Sequence, residues 1–166
     1  HEFQSPHWQV DSTSEAKQVL LKLNETGKLV WHPGSEARKS RYGLVFDIVT
    51  AMTELGLINQ QTPTFNAALN SLDFFLGRGA DATKLGLGSS AALTVSLSAA
   101  LASYCGSHKL LEDKISWLKQ LLIIHRRFQG GMGSGADLAA SLYGGVISYQ
   151  LEEETLTPQV MPMSWP

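Results

Sequence analysis

Apolar residues recur at helical spacing in three stretches of the chain. The first, over residues 43–55, has an apolar side chain every three or four positions and ends at Gly56, a common helix terminator. The second, over residues 91–104, is rich in alanine and leucine and stops before Gly106. The third has a leucine and isoleucine stripe from Leu110 to about Arg127. The pattern predicts three helices packed around one core.

Residues 12–41 contain patterns typical of a helix and of a strand. Ser12-Thr13-Ser14-Glu15 resembles a capping box, and Val19, Leu20 and Leu23 follow at helical spacing, which predicts a short helix ending near Asn24 and Gly27. The triplet Leu29-Val30-Trp31 indicates a strand or turn. The basic residues that follow it, Arg38, Lys39 and Arg41, are typical of a solvated surface, with a contact to a substrate phosphate as the alternative.

The remaining elements are shorter. The aromatic stretch 72–76 favours a strand and is followed by a break at residues 77–81. Ala136–Tyr143 is predicted as a short helix, and the alternating segment Val146–Leu151 as a strand that leads into a turn at residues 152–154. Mixed helices and strands in one unit indicate an α+β (mixed α/β) fold. We divide the chain into an uncertain segment 1–40, a core domain 41–151 and a tail 152–166 leading to a missing C-terminal part.

Composition narrows the class of protein. The chain has 166 residues and is 43% hydrophobic, enough for one substantial core, and its net charge of −2 gives no general attraction to nucleic acid or to anionic membranes. Residues 85–107 lack charged side chains but are too rich in Gly, Ser and Thr for a membrane span. We expect no secretory signal, a cytoplasmic location from the single Cys105, and a small-molecule partner, with a homodimer as an open possibility.

Candidate chemistry begins at the glycine-rich segment Lys84–Ala92. Two glycines allow close backbone approach, and two serines stand where a helix begins, so free amides and the positive end of the helix dipole can bind phosphate oxygens. Ser89 or Ser90 can also coordinate Mg²⁺. An ordinary serine-capped helix is the plain alternative. A dinucleotide fingerprint, Gly86-x-Gly88-x-x-Ala91, would need a flanking strand and an acidic residue such as Glu112 or Asp113. No Gly-Lys-Ser/Thr of a Walker A loop occurs.

A second glycine-rich segment, Gln129–Gly135, precedes one carboxylate, Asp137. A favourable interaction with the helix dipole is the plain explanation for that aspartate. Ser134 is not in a Gly-x-Ser-x-Gly elbow, which argues against a hydrolase. The cations at 125–127, just before this segment, fit the C-terminal end of a helix, and a contact to a phosphate is the alternative.

Both segments resemble motifs of the GHMP kinase superfamily, in the mevalonate and phosphomevalonate kinase branch. Gly86-Leu87-Gly88-Ser89-Ser90-Ala91-Ala92 is similar to the family's central ATP-binding motif, and Gly133-Ser134-Gly135-Ala136-Asp137 to the element carrying its catalytic aspartate. The resemblance implies Asp137 as the catalytic residue, Ser90 as a Mg²⁺ ligand and a left-handed β-α-β unit with helices on one face of a mixed sheet. The implied ATP-binding residues are Lys84, Gly86, Leu87, Gly88, Ser89, Ser90 and Ala91. The candidate substrate contacts are Gly133, Ser134, Gly135 and Arg126.

The chain departs from the family pattern at three points. Arg126 stands where mevalonate kinases have a Mg²⁺-binding Glu, and the family's N-terminal and C-terminal motifs are absent. The leading hypothesis is an ATP- and Mg²⁺-dependent kinase for a small metabolite, with phosphomevalonate or mevalonate as the best guess. Whether this chain alone is active or inactive is left open. The alternatives are a non-catalytic nucleotide-binding module with the same fold and a Rossmann-type oxidoreductase.

Overall fold

The computed structural model describes residues 7–12, 19–33, 39–69, 74–76, 83–86 and 88–164, and these ranges form a mixed α+β structure. The helices are α1 (Lys39–Glu54), α2 (Ser89–Tyr104), α3 (His108–Glu112), α4 (Lys114–Phe128) and α5 (Ala136–Tyr143). The strands are β1 (His7–Ser12), β2 (Val19–Leu23), β3 (Leu29–Trp31), β4 (Asn66–Leu69), β5 (Phe75–Leu76), β6 (Thr83–Lys84), β7 (Val146–Glu152) and β8 (Thr157–Met163).

The largest sheet has the strand order β3-β2-β1-β4. Strand β1 pairs antiparallel with β2 and parallel with β4, so the sheet is mixed. Strands that precede residue 41 therefore share one sheet with β4, which lies after α1. Two antiparallel pairs, β5 with β6 and β7 with β8, complete the described strands. Residues 157–163, which the sequence analysis assigned to the tail, form the second strand of the β7-β8 hairpin.

The predicted helix at residues 19–23 is wrong, because this segment is strand β2. Its buried side chains are Leu21 and Leu23, fully excluded from solvent and separated by the less buried Lys22, which is the alternation of a strand. The Asn24 side chain accepts hydrogen bonds from the amides of Thr26 and Lys28 and closes the turn into β3. The capping-box residues 13–15 lie outside the described ranges.

The three long predicted helices are present with small differences. Helix α1 begins earlier than the apolar pattern indicated, at Lys39, and Gly56 follows it in a left-handed conformation. The predicted third helix is divided at Asp113, whose side chain accepts from the Ser116 amide and caps α4. Helices α1, α2, α4 and α5 pack against one another, and Trp31 of β3 stacks on Phe46 of α1 with 4.9 Å between ring centroids.

The uncharged segment 85–107 lies mostly in α2, which packs against α1, α4 and α5. Its Thr94 and Ser98 are buried along with its apolar residues, as expected for a helix of small residues inside a folded core. Within the described ranges, no helix has the length and apolar character needed to cross a membrane.

Candidate functional site

Helix α2 begins directly after Gly88, which has a left-handed backbone (φ 69°, ψ 32°) and no side chain to cap the helix. The first hydrogen bond at this end runs from the Ala92 amide to the Gly88 carbonyl. The earlier amides of an α-helix have no acceptor within it, so those of the partly buried Ser89 and Ser90 are left to an external partner. This end of α2 therefore has the properties of an anion-binding site.

Asp137 lies against this end of α2. A Cβ atom placed on Gly88 would be 3.4 Å from the Asp137 Cβ and 3.8 Å from its Oδ2. The carboxylate is in the first turn of α5, which begins after Gly135, a second left-handed residue without a capping side chain. The Asp137 side chain is exposed, and Oδ1 accepts from the Leu138 amide at 3.0 Å. The two glycine-rich segments thus bring two helix N-termini and one carboxylate together.

The loop that carries Ser134 and Gly135 is anchored through two of its carbonyls. Arg126 donates to the Gly133 carbonyl from Nε at 3.0 Å and from Nη2 at 2.8 Å, and Nη2 also contacts Glu153 at 2.7 Å. The Tyr149 hydroxyl donates to the Ser134 carbonyl at 2.6 Å. Helix α4 and the β7-β8 hairpin therefore fix the approach of the chain to Asp137.

His125, which the sequence predicts as a helix-terminal cation or a phosphate contact together with residues 126 and 127, lies inside the protein beside Ser90. Its side chain is 2% exposed, and Nε2 lies 3.2 Å from the Ser90 Oγ. Burial lowers the pKa of His125, and the nearby negative charge of Asp137 opposes this effect. The signal in the sequence was its position: Leu118, Leu121 and Leu122 are fully buried on the same stripe of α4, and His125 continues that spacing.

The other predicted site residues lie around the start of α2. Lys84 ends β6 and Gly86 follows with a left-handed backbone (φ 69°), whereas Leu87 and the side chain of Lys84 lie outside what the structure describes. Ser89 and Ser90 are partly buried in the first turn of α2. Ala91 is fully buried, its amide included, so a ligand reaches the first turn of α2 at Ser89 and Ser90.

The surroundings of α2 do not fit the dinucleotide fingerprint. That motif requires a strand after the first helix, ending near an acidic residue that binds ribose. Helix α2 is followed instead by α3 and α4. Glu112 ends α3 and Asp113 caps α4, so neither residue stands at the end of a strand.

The groups that could hold a cation at this site are the Ser90 hydroxyl and the Asp137 carboxylate. These are the oxygen donors that Mg²⁺ prefers, and Mg²⁺ usually takes only one or two ligands from a protein and the rest from phosphates and water. The absence of a Cβ on Gly88 leaves space beside Asp137. Over the residues that the structure describes, no group of three or more His, Cys, Asp and Glu side chains could hold a metal ion.

Comparison with known proteins gives two matches. Residues 69–145, which include both glycine-rich segments, match the family described as GHMP kinases N terminal domain. The chain is 35% identical over 117 residues, 70% of its length, to a phosphomevalonate kinase from Streptomyces sp. (strain CL190), of which it spans only 29%. No solved structure matches the chain. Residues 69–145 of this chain are therefore similar to the N-terminal domain of the GHMP kinases.

Proposed function

We propose that this chain is the nucleotide-binding part of an ATP- and Mg²⁺-dependent kinase that phosphorylates a small metabolite. The observation that carries the proposal is the approach of Asp137 to Gly88, with 3.4 Å between the Asp137 Cβ and the position of a Gly88 Cβ. A phosphate bound by the first amides of α2 would then lie beside Asp137, the carboxylate that follows the second glycine-rich segment. Phosphoryl transfer depends mainly on such positioning and on neutralisation of charge.

Each residue has a distinct task in this proposal. The amides of Ser89 and Ser90 bind phosphate oxygens, and Gly86 and Gly88 let the backbone approach them. Asp137 orients the accepting group, or removes its proton if that group is a hydroxyl. Bound Mg²⁺ would neutralise the phosphate charge, with Ser90 as its protein ligand and Asp137 within the same site.

The acceptor that we propose is phosphomevalonate or a chemically similar small phosphate or alcohol. The support is the similarity to the Streptomyces phosphomevalonate kinase, which extends over 70% of this chain. Arg126 stands where mevalonate kinases place an acidic residue, and its Nε and Nη2 bind Gly133 and Glu153. The preference for a phosphomevalonate-like substrate over mevalonate therefore rests on the similarity, because the Arg126 guanidinium is engaged by Gly133 and Glu153.

We also propose that residues 41–151 are the core of this domain and that β1 to β3 complete its sheet. The left-handed β-α-β unit expected of the family belongs to the same proposal. The β7-β8 hairpin then forms one border of the site, because Tyr149 and Glu153 both bind the loop before Asp137 or its anchor, Arg126.

Thermal unfolding of the chain with ATP and Mg²⁺, with ATP and EDTA, and with NAD tests the proposal. A ligand at about 100 times its Kd stabilises the folded state by about 2.7 kcal/mol, which is roughly 5–10 °C for a chain of this size. We expect such a shift with ATP and Mg²⁺ and little with NAD. A shift with NAD alone would favour a dinucleotide-binding protein instead.

Two glycine variants localise the effect. Gly88→Ala places a methyl group beside Asp137, whereas Gly106→Ala, at the other end of α2, places one where no atom lies within 4 Å. Both glycines have similar left-handed backbones (φ 69° and 73°), so the two variants share the same backbone strain. We expect the ATP-induced shift to be lost in Gly88→Ala and kept in Gly106→Ala. A screen of phosphomevalonate, mevalonate and other acceptors then separates a kinase from a non-catalytic nucleotide-binding module.

A further inference from the structure

The side chain of His125 links α4 to the first turn of α2 in the candidate site. It is in the last turn of α4, is 2% exposed, and is the only Asp, Glu, Lys, Arg or His side chain in the buried set of the described residues. Its Nε2 atom lies 3.2 Å from the Oγ of Ser90 in the first turn of α2. A buried imidazole at this position has a purpose beyond packing, because an apolar side chain would avoid the cost of burying its polar atoms.

The chemistry of the contact depends on which atom provides the hydrogen. A serine hydroxyl has one hydrogen to donate and two lone pairs to offer. When the oxygen gives a lone pair to a cation, its hydrogen must point away from that cation. An acceptor within reach of the Ser90 hydroxyl is His125, whose Nε2 lies 3.2 Å from Oγ. The Nε2 of a neutral imidazole is a suitable acceptor.

We propose that His125 is a positioning residue whose Nε2 accepts the hydrogen of the Ser90 hydroxyl and so turns the Ser90 Oγ lone pairs toward the phosphate-bound Mg²⁺. The ring hydrogen is then on Nδ1. This inference rests on the proposed function, since it concerns how one residue of the same site is oriented. Outer groups that orient a metal ligand typically change metal affinity by about 10- to 100-fold when they are replaced.

Two amide substitutions test whether the side chain at position 125 must extend as far as Nε2 to contact Ser90. In His125→Gln the side-chain oxygen extends about as far as Nε2 and can accept the same hydrogen, whereas in His125→Asn the shorter amide stays near the position of Nδ1. His125→Leu removes the acceptor altogether. The measurement is the Mg²⁺ concentration that gives half of the thermal stabilisation by a fixed ATP concentration, and it requires no turnover.

We expect the Mg²⁺ midpoint of His125→Gln to stay near that of the wild-type chain. In His125→Asn and His125→Leu the midpoint should rise by about tenfold or more. A Ser90→Ala variant should show a similar rise, and His125→Asn should add nothing further in that background, because both changes remove the same interaction. If His125→Leu does not fold, the comparison of Gln with Asn still decides the question.

The possible results separate this inference from the proposal on which it rests. If His125 has a purely structural role, all His125 variants should have a lower melting temperature without ligand and a Mg²⁺ midpoint equal to that of the wild-type chain. That result would overturn the inference alone. A wild-type chain that gains no stability from ATP with Mg²⁺ would overturn the proposed function itself. Equal midpoints for Gln and Asn, both raised, would also contradict the orientation by Nε2.

Discussion

Replacement of Gly135 by alanine tests whether α5 approaches α4 as closely as the structure has it. Gly135 has a left-handed backbone (φ 76°), and it is the N-cap of α5, two positions before Asp137. A methyl group on Gly135 would overlap the Leu122 Cδ2 and would lie 3.1 Å from the Tyr149 hydroxyl. Leu122 is fully buried, so its side chain has little room to move away.

The magnitude follows from two separate contributions. Left-handed backbone costs an alanine about 1–2 kcal/mol relative to glycine. Insertion of a methyl group into a well-packed core costs about 1–3 kcal/mol more. We therefore expect Gly135→Ala to lower the free energy of unfolding by about 2–5 kcal/mol. Gly130→Ala is the matched control, because Gly130 has a similar backbone (φ 69°) with no atom within 4 Å of the new methyl, so only the first contribution applies.

Urea unfolding of the wild type and the two variants measures both effects. The difference between Gly135→Ala and Gly130→Ala should be about 1–3 kcal/mol, the packing contribution alone. A Leu122→Val background removes the Cδ2 position, and Gly135→Ala should then cost about as little as Gly130→Ala. Equal losses of stability in the two glycine variants of the wild-type background would refute the close contact between α5 and α4.

Three further predictions concern stability. Arg126→Gln should lower the free energy of unfolding by about 1–2 kcal/mol, because its hydrogen bonds to the Gly133 carbonyl are lost. Glu153→Gln should cost less than about 1 kcal/mol, because that carboxylate is exposed, and urea unfolding compares the two variants. Burial raises the pKa of Asp47, and the charge of Arg127 only partly offsets this, so the ionised carboxylate is less favoured in the folded than in the unfolded chain. Asp47→Asn should therefore be more stable than wild type at pH 7, and the gain should disappear as the pH falls through the raised pKa. A loss of stability at pH 7 would contradict this sign. The Thr50 hydroxyl is buried without a hydrogen-bond partner among the described residues, so in chemical denaturation Thr50→Val should be at least as stable as wild type, whereas Thr53→Val, which loses a bond to the Val49 carbonyl, should cost about 1 kcal/mol.

Local sequence patterns predicted those elements that are fixed by local chemistry. Helix α2 ends at Tyr104, two residues before Gly106, and α5 ends at Tyr143, just before Gly144, as the glycine positions indicate. The mixed α+β class also follows from the alternation of such segments. Residues 19–23 were misread because Val19, Leu20 and Leu23 fit a helix, whereas the buried pair is Leu21 and Leu23. That choice depends on the pairing of β2 with β1 and β3, which a local window does not contain.

The candidate site could be predicted only in part for a similar reason. The glycine-rich segments indicate a close backbone approach, and the resemblance to a family indicates that Asp137 belongs beside the first segment. The contact between His125 and Ser90 joins residues 35 positions apart and arises because α4 packs against α2. The anchoring of the loop by Tyr149 likewise depends on the β7-β8 hairpin.

Helices α2, α4 and α5 differ in how the amides of their first turns are satisfied. Helix α4 begins at Asp113, whose side chain accepts from the Ser116 amide and so satisfies one of its free donors. Helices α2 and α5 begin after Gly88 and Gly135, and neither has a side-chain hydrogen bond at its N-cap. Glycine at this position costs only a few tenths of a kcal/mol relative to a capping side chain. At α2 the small cost leaves the amides of Ser89 and Ser90 without a capping side chain, whereas at α5 the Ala136 and Leu138 amides donate to the Ser134 Oγ and the Asp137 Oδ1. Of the two helix ends that meet at Asp137, α2 is therefore the one whose first turn lacks side-chain acceptors, which is where the proposed function places the phosphate.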